Sequence, residues 1–157
     1  MEALYYAGDY CSAEAVAAQL ADVGTRFDLP DLIGSAFIGR SFIAVWRGDA
    51  DDAEQCFSFA TDHFGGTSSF DSYGSMFVPA FIALLRGDLD EAESLFLEAL
   101  RIDRNLRGER HPHVATVLGN FAALFAKRGD YARAEELHRD ALSIRREAFD
   151  EIGRAHV

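Results

Sequence analysis

GDLDEAE, residues Gly87–Glu93, is the stretch that decides the fold, because close copies of it recur along the chain. The other copies are GDYCSAE at 8–14, GDADDAE at 48–54 and GDYARAE at 129–135. Their glycines are separated by 40, 39 and 42 residues. A fixed period in this range is typical of repeat proteins, in which each unit is too small to bury its own apolar face and stacks on its neighbours.

Each copy of this turn motif contains residues that end one helix and begin another. Three of the glycines are directly preceded by an arginine, which is Arg47, Arg86 or Arg128. A cation in the last turn of a helix is favoured by the helix dipole. Glycine can adopt the left-handed conformation that closes a helix C-terminus. The aspartate that follows is a preferred N-cap for the next helix. The motif therefore predicts antiparallel helical hairpins, with its alanine where the two helices approach most closely.

Apolar residues on both sides of the turns recur at three- and four-residue steps, the period of an amphipathic helix. No sustained alternation indicates a strand. We predict an all-α fold with a short helix at 1–7 and helices at 10–27, 31–47, 51–64, 72–86, 89–106, 112–128 and 131–149. Pro79 lies inside the 72–86 segment and removes a backbone hydrogen bond, so we expect a kink or a later helix start there.

The motif and its flanks resemble the tetratricopeptide repeat, whose first helix has a large apolar residue, Leu-Gly and Tyr. The second helix of that repeat has Ala and, four residues later, an aromatic residue. In the last unit these positions are held by Leu118, Phe121-Ala122, Phe125, Ala134 and His138. Because His138 stands in the aromatic position, we expect it to be packed in the core. The stretch 99–141, with Gly108–Pro112 at the start of a unit, is similar to the long repeats of kinesin light chains and their bacterial relatives.

This resemblance implies an α-solenoid of stacked antiparallel hairpins that winds as a right-handed superhelix. We divide the array over 1–150 into a partial unit at 1–27 and units at 31–64, 70–106 and 112–149. The period is longer than the usual spacing of about 34 residues, and longer helices explain this departure.

We interpret both ends of the chain as cut from a longer protein. Residues 1–6 supply only the last turns of a first helix, and the repeat pattern breaks after Phe149. Residues 151–157 match one reading frame of a common sequencing-library adapter, so we interpret them as a non-native tail. A frayed natural tail is the alternative, and under either interpretation these residues are left out of functional reasoning.

Charge and composition limit which classes of partner are expected. The net charge is −11, with 17 acidic and 4 basic residues in 1–100 but 9 and 11 in 101–157. Nucleic acid requires a basic surface, so we expect no nucleic-acid partner. No apolar run is long enough for a membrane span, so we expect no membrane partner. We interpret the acidic part as a solvated surface. The alternative is that it attracts a basic partner or the arginine-rich end of another copy.

The two cysteines, Cys11 and Cys56, have no metal-binding or redox spacing, which favours a reducing cytoplasmic location. Arginine outnumbers lysine 14 to 1, which indicates a bacterial gene. His111 and His113 flank Pro112 too closely to be two metal ligands on one helix face, and Pro112 is better explained as a helix start. No phosphate-binding loop, nucleophile elbow or dinucleotide motif is present. We therefore predict no enzyme activity, no cofactor and no metal.

The resemblance implies that the first helix of each hairpin lines a concave groove. The predicted groove residues are Tyr5, Tyr6, Ile38, Phe42, Trp46, Phe77, Phe81, Leu85, Asn120 and Lys127. The first eight are aromatic or apolar, and an exposed patch of this kind usually marks an interface. Asn120 and Lys127 suit the carboxylate of a bound peptide. The alternative is that these faces pack against the rest of a longer protein or into the core.

We therefore predict a non-catalytic scaffold that binds a protein or peptide partner in this groove. Self-association through uncapped ends is a further expectation. The alternative function is a regulatory or ligand-sensing segment of a larger bacterial signalling ATPase or transcription activator, since similar helical repeats are appended to such proteins.

Overall fold

The computed structural model describes the backbone of residues 10–64 and 78–155 and the side chains of 10–63 and 78–150. Its described residues form seven α-helices and no strand, which confirms the predicted all-α fold. The helices are α1 Tyr10–Arg26, α2 Pro30–Arg47, α3 Ala50–Phe64, α4 Val78–Arg86, α5 Leu89–Arg107, α6 Pro112–Arg128 and α7 Tyr131–Ala155. The helix predicted at 1–7 lies outside the described residues.

One helix differs from its predicted bounds, and another is described only in part. The helix predicted at 72–86 is described over Val78–Arg86, so the kink or later start expected at Pro79 stays a prediction. Residues 72–77 lie outside the described part. Helix α7 continues to Ala155 instead of ending at 149. No proline or turn motif follows Phe149, so the break in the repeat pattern does not end the helix.

The turn motif has the predicted backbone geometry at its three described glycines. Gly48, Gly87 and Gly129 have φ angles of 78°, 88° and 80°, all in the left-handed region. The Asp49 amide donates to the Ala44 carbonyl at 2.9 Å, and the Gly48 amide donates to the Val45 carbonyl at 2.9 Å. This pair of bonds is the Schellman motif, which satisfies carbonyls at a helix C-terminus.

The aspartates after two of these glycines cap the next helix. Oδ1 of Asp49 accepts from the Asp52 amide at 3.1 Å, and Oδ1 of Asp130 accepts from the Arg133 amide at 3.2 Å. The motif alanines Ala13, Ala53, Ala92 and Ala134 are buried, as the close approach of the helices requires. We call the helices before a turn motif first helices (α2, α4 and α6) and those after it second helices (α1, α3, α5 and α7).

The chain divides into two compact units, Met1–Asp88 and Leu89–Val157. In the first unit α2 packs against α1, α3 and α4, around a core of Ala44, Val45, Ala53, Val78 and Ile82. In the second unit α6 packs between α5 and α7, with Phe96, Val114, Val117 and Leu124 fully buried. The boundary falls within the hairpin predicted at 70–106, and the division into repeat units stays a prediction. None of the described helices is both long and apolar enough to cross a bilayer.

Candidate functional site

The first unit brings four of the predicted groove residues onto two neighbouring first helices. Phe42 and Trp46 lie on α2, and Phe81 and Leu85 lie on α4. Both pairs have i, i+4 spacing, which places their members on one face of a helix. The pairs are 39 residues apart, as are Gly48 and Gly87, so they occupy equivalent positions in successive hairpins. We call these four residues the apolar face.

The apolar face is anchored on the core of the first unit. Phe42, Phe81 and Leu85 are partly buried and pack against the cluster that contains Val45, Val78 and Ile82. Trp46 is 54% exposed, although it is the largest side chain of the set. Anchored but accessible aromatic groups can gain contact area on binding with little loss of side-chain entropy, because their buried parts are already fixed.

The other predicted groove residues are placed differently. Ile38 is 6% exposed and packs with Ala60 in a core cluster, so it does not line an open surface. Asn120 is partly buried and Lys127 is exposed, and both lie on α6 in the second unit. The predicted residues Tyr5, Tyr6 and Phe77 lie outside the described residues.

The arginines before the turn glycines form ion pairs between hairpins. Nη2 of Arg47 lies 2.7 Å from Oε2 of Glu14, and Nη2 of Arg86 lies 2.8 Å from Oε2 of Glu54. Arg128 pairs with Glu93 and, at 2.5 Å, with Asp90. Each arginine ends a first helix, and each glutamate is the last residue of the preceding turn motif.

These interhelix ion pairs were missed by sequence reasoning, which assigned the arginines only to the helix dipole. The available signal was the strict register of arginine and glutamate in successive motifs. The hydrogen bond and charge of Arg86 lower the pKa of Glu54 below its ordinary value of 4.5. The Arg47–Glu14 and Arg86–Glu54 pairs are open to solvent, whereas Arg128 and Glu93 are partly buried. Exposed pairs add little stability, so we interpret the first two as favouring one helix register.

A buried carboxylate joins α5 to α6. Asp103 is 1% exposed, and its Oδ2 lies 2.5 Å from Nδ1 of His113. Its Oδ1 lies 3.3 Å from Nε of Arg107. His111 is the N-cap of α6, where its Nδ1 accepts from the His113 amide at 3.1 Å. We therefore interpret the Gly108–His113 segment as structural, because its histidines hold the start of α6 against the end of α5.

The remaining titratable groups whose side chains are described form no further candidate site. Burial raises the pKa of the Cys56 thiol, which disfavours the reactive thiolate. Among residues whose side chains are described, no group of three or more His, Cys, Asp or Glu is placed to hold a metal ion.

Comparison with known families identifies part of the chain. Residues 80–147 match the model of the tetratricopeptide repeat. This segment is similar to the tetratricopeptide repeat family. Tetratricopeptide repeats are in general protein–protein interaction modules.

The similarity of fold to a solved structure covers most of the chain. The crystal structure of BtubC (BKLC) from P. vanneervenii is 21% identical and superposes with a TM-score of 0.60. The match covers 86% of this chain and 56% of the BtubC chain, so this chain spans little more than half the length of that protein. At this identity the likeness shows the fold alone. A comparison with curated proteins finds no match.

The burial of His138 differs from our expectation that this residue is packed in the core. His138 is exposed on α7, whereas Phe96, which holds the same position in the preceding repeat, is fully buried. The ring of Phe96 stacks on Phe121 of α6, with centroids 5.5 Å apart. No described residue covers the equivalent surface of α7 in this way, so the aromatic position there stays open to solvent.

Proposed function

We propose that this chain is a non-catalytic interaction module that binds an extended or helical segment of a partner protein on its apolar face. The observation that carries the proposal is the placement of Phe42 and Trp46 beside Phe81 and Leu85. These side chains lie on two first helices that pack together, in equivalent positions. A partner would bury apolar area that the unit leaves accessible, and aromatic side chains in such places contribute most to binding energy.

The chemistry of the face indicates the kind of segment it would bind. Two i, i+4 apolar pairs on adjacent helices form a short double row, which suits a segment with apolar residues at i and i+3 or i+4. The unit that carries this face is acidic as a whole, with 13 acidic and 4 basic residues in 1–88. We therefore expect a partner segment with apolar anchors and flanking basic residues.

The experiment uses Trp46 as a built-in reporter, because it is the chain's single tryptophan. Peptides are selected on the whole chain from a displayed random library and then synthesised. Burial of Trp46 under a bound peptide should shift its fluorescence to shorter wavelength. Affinity is measured by anisotropy of the labelled peptide for the chain and its variants. Phe81→Ala should weaken binding by about tenfold or more, the usual cost of an aromatic anchor.

Leu97→Ala is the matched control, because Leu97 is an exposed apolar residue of the second helix α5 and is not one of the four residues of the apolar face. It should change the affinity by less than about twofold. Trp46→Ala should weaken binding as Phe81→Ala does. If the selected peptides bind both variants and the parent chain equally well, the apolar face is not the binding site.

A further inference from the structure

Two of the arginines that end first helices are each held by two carboxylates of an earlier turn motif. Nη2 of Arg86 lies 2.9 Å from Oδ1 of Asp51 and 2.8 Å from Oε2 of Glu54. These carboxylates are the fourth and seventh residues of the motif GDADDAE, a spacing that places them on one face of α3. We call such an arginine, together with these two motif positions, an arginine site.

The second unit contains the same arrangement. Arg128 pairs with Glu93 and, at 2.5 Å, with Asp90. Asp90 and Glu93 are again the fourth and seventh residues of their motif. These two arginine sites therefore share one composition, with two carboxylates for one guanidinium.

The arginine site at Arg47 differs at one of its two motif positions. Its motif, GDYCSAE at 8–14, has Glu14 in the seventh position but Cys11 in the fourth. Nη2 of Arg47 lies 2.7 Å from Oε2 of Glu14, and no second carboxylate among the residues with described side chains pairs with it. A thiol is a weak hydrogen-bond acceptor, so Cys11 does not replace the missing carboxylate.

The side chain of Arg47 is consequently the most accessible of the three. It is 46% exposed, compared with 37% for Arg86 and 24% for Arg128. A guanidinium presents five N–H donors in a planar fork, which can serve more than one carboxylate. A further carboxylate can therefore bind Arg47 without displacing Glu14.

We propose that Arg47 binds a carboxylate of the partner segment that covers the apolar face. This inference rests on the proposed function and adds to it one acidic residue that the partner segment must carry. Arg47 directly follows Trp46, so the incomplete arginine site lies at the same end of α2 as the most exposed residue of the apolar face. A segment that covers Trp46 thus ends beside a cation that lacks its second acceptor.

The charge of the unit makes this acidic residue specific to one place on the partner. Residues 1–88 have 13 acidic and 4 basic residues, which favours basic residues elsewhere on the segment. An aspartate or glutamate is favoured only where it reaches Arg47. Opposite charges at the two ends of the segment would fix its direction on the apolar face, because the reversed segment would place its acid against an acidic surface.

The experiment uses peptides selected on the whole chain from a displayed random library, and keeps those whose binding Phe81→Ala weakens. We expect them to carry an aspartate or glutamate at a fixed distance from their apolar anchors. Each is synthesised with this acid and with its amide counterpart, and anisotropy at low ionic strength gives both affinities. The acidic form should bind the parent chain about two- to fivefold more tightly, the value of one exposed ion pair. On Arg47→Gln this preference should disappear.

Cys11→Asp provides the sharper test, because it leaves Arg47 in place. The introduced carboxylate should occupy Arg47 as Asp51 occupies Arg86, so the preference for the acidic peptide should again disappear. Cys11→Asn is the matched control of similar size without charge, and it should keep the preference. Gln19→Glu adds the same charge two turns farther along α1, at an exposed position, and should change the preference by less than about twofold.

The outcomes separate this inference from the proposed function. Equal binding of the acidic and amide peptides to the parent chain, or selected peptides without an acid, would overturn the inference and leave the apolar face as the binding site. A preference that survives Arg47→Gln, or that is the same in Cys11→Asp and Cys11→Asn, would do so as well. If no selected peptide depends on Phe81, both proposals fail. Circular dichroism of each variant verifies that its helices are intact.

Discussion

Gly119 and Gly129 lie ten residues apart but have different backbone conformations. Gly129 ends α6 with a φ angle of 80°, a conformation that costs an L-residue about 1–2 kcal/mol. Gly119 lies inside α6 with ordinary helical geometry, and a Cβ added there would meet no atom within 4 Å. The same substitution should therefore have opposite effects at the two positions.

Gly129→Ala should lower the free energy of unfolding by about 1 kcal/mol, because the Schellman turn needs the left-handed residue. Gly119→Ala should raise it by about 0.5–1 kcal/mol, because alanine loses less conformational entropy in a helix. Urea denaturation followed by circular dichroism measures both. Destabilisation by Gly119→Ala, or an unchanged stability in Gly129→Ala, would contradict this account of the turn.

The Asp103 cluster also belongs to the scale of single residues. His113→Ala should destabilise the chain by about 2 kcal/mol, because it leaves a buried carboxylate with one hydrogen-bond donor fewer. The double variant Asp103→Ala, His113→Ala should be more stable than the sum of the single losses predicts, with a coupling of about 0.5–3 kcal/mol. A double-mutant cycle in urea tests this, and additive losses would show that the two side chains do not interact.

At the scale of the element, the turn motif acts in two directions. Within a hairpin it ends one helix and caps the next through backbone bonds such as that from Asp49 to Ala44. Between hairpins its glutamate receives the arginine that ends a later first helix, as Glu54 receives Arg86. Because both functions depend on fixed positions in one motif, a change of motif length would break the helix register together with the turn.

Arg86→Gln should remove the part of acid sensitivity that comes from Glu54. The folded-state pKa of Glu54 lies below its ordinary value of 4.5 because Arg86 donates to it. The pair therefore adds stability above pH 4.5, and this contribution is lost as pH falls through the lowered pKa. The difference in urea midpoint between parent and variant should be largest at neutral pH and should shrink in acid.

Salt provides the control for this prediction. Screening weakens an exposed pair, so the difference between parent and Arg86→Gln should also shrink in concentrated NaCl. Arg101→Gln is the matched variant, since Arg101 pairs within its own helix, with Glu98. A difference for Arg86→Gln that is independent of both pH and salt would show that the guanidinium acts through packing.

At the scale of the whole molecule, the two compact units have different charges. Residues 1–88 have 13 acidic and 4 basic residues, net −9, and residues 89–157 have 13 and 11, net −2. Each unit also has its own buried residues, such as Val78 in the first and Leu124 in the second. Repeat proteins are stabilised mainly by contacts between neighbouring helices, so a unit with its own core can retain its structure alone.

We therefore expect residues 89–157 to fold when expressed alone. The isolated segment should give a helical circular dichroism spectrum and a cooperative urea transition. Leu124→Ala should destabilise it by about 2–5 kcal/mol, the cost of a core truncation. Leu142→Ala is the control and should have little effect, because that side chain is half exposed. A segment without helical signal would show that its core depends on residues 1–88.

The sequence by itself determined the helices and their turns. Three described motifs have left-handed glycines, and five helices agree with their predicted bounds within one residue. These features are local, because capping, glycine conformation and a 3.6-residue period act over a few neighbouring residues. The motif alanines are predictable in the same way, because the turn fixes where the two helices of a hairpin approach each other, and all four are buried.

Only the tertiary structure decided which predicted surface residues are accessible. It buried Ile38 in the core, left His138 exposed and assigned Arg47, Arg86 and Arg128 to ion pairs with distant glutamates. The register of a helix fixes the direction of each side chain but not the element that lies opposite. Phe96 and His138 occupy the same position of their helices, and they differ because α6 covers one of them. Burial is set by the neighbour, and neighbours are brought together only by folding.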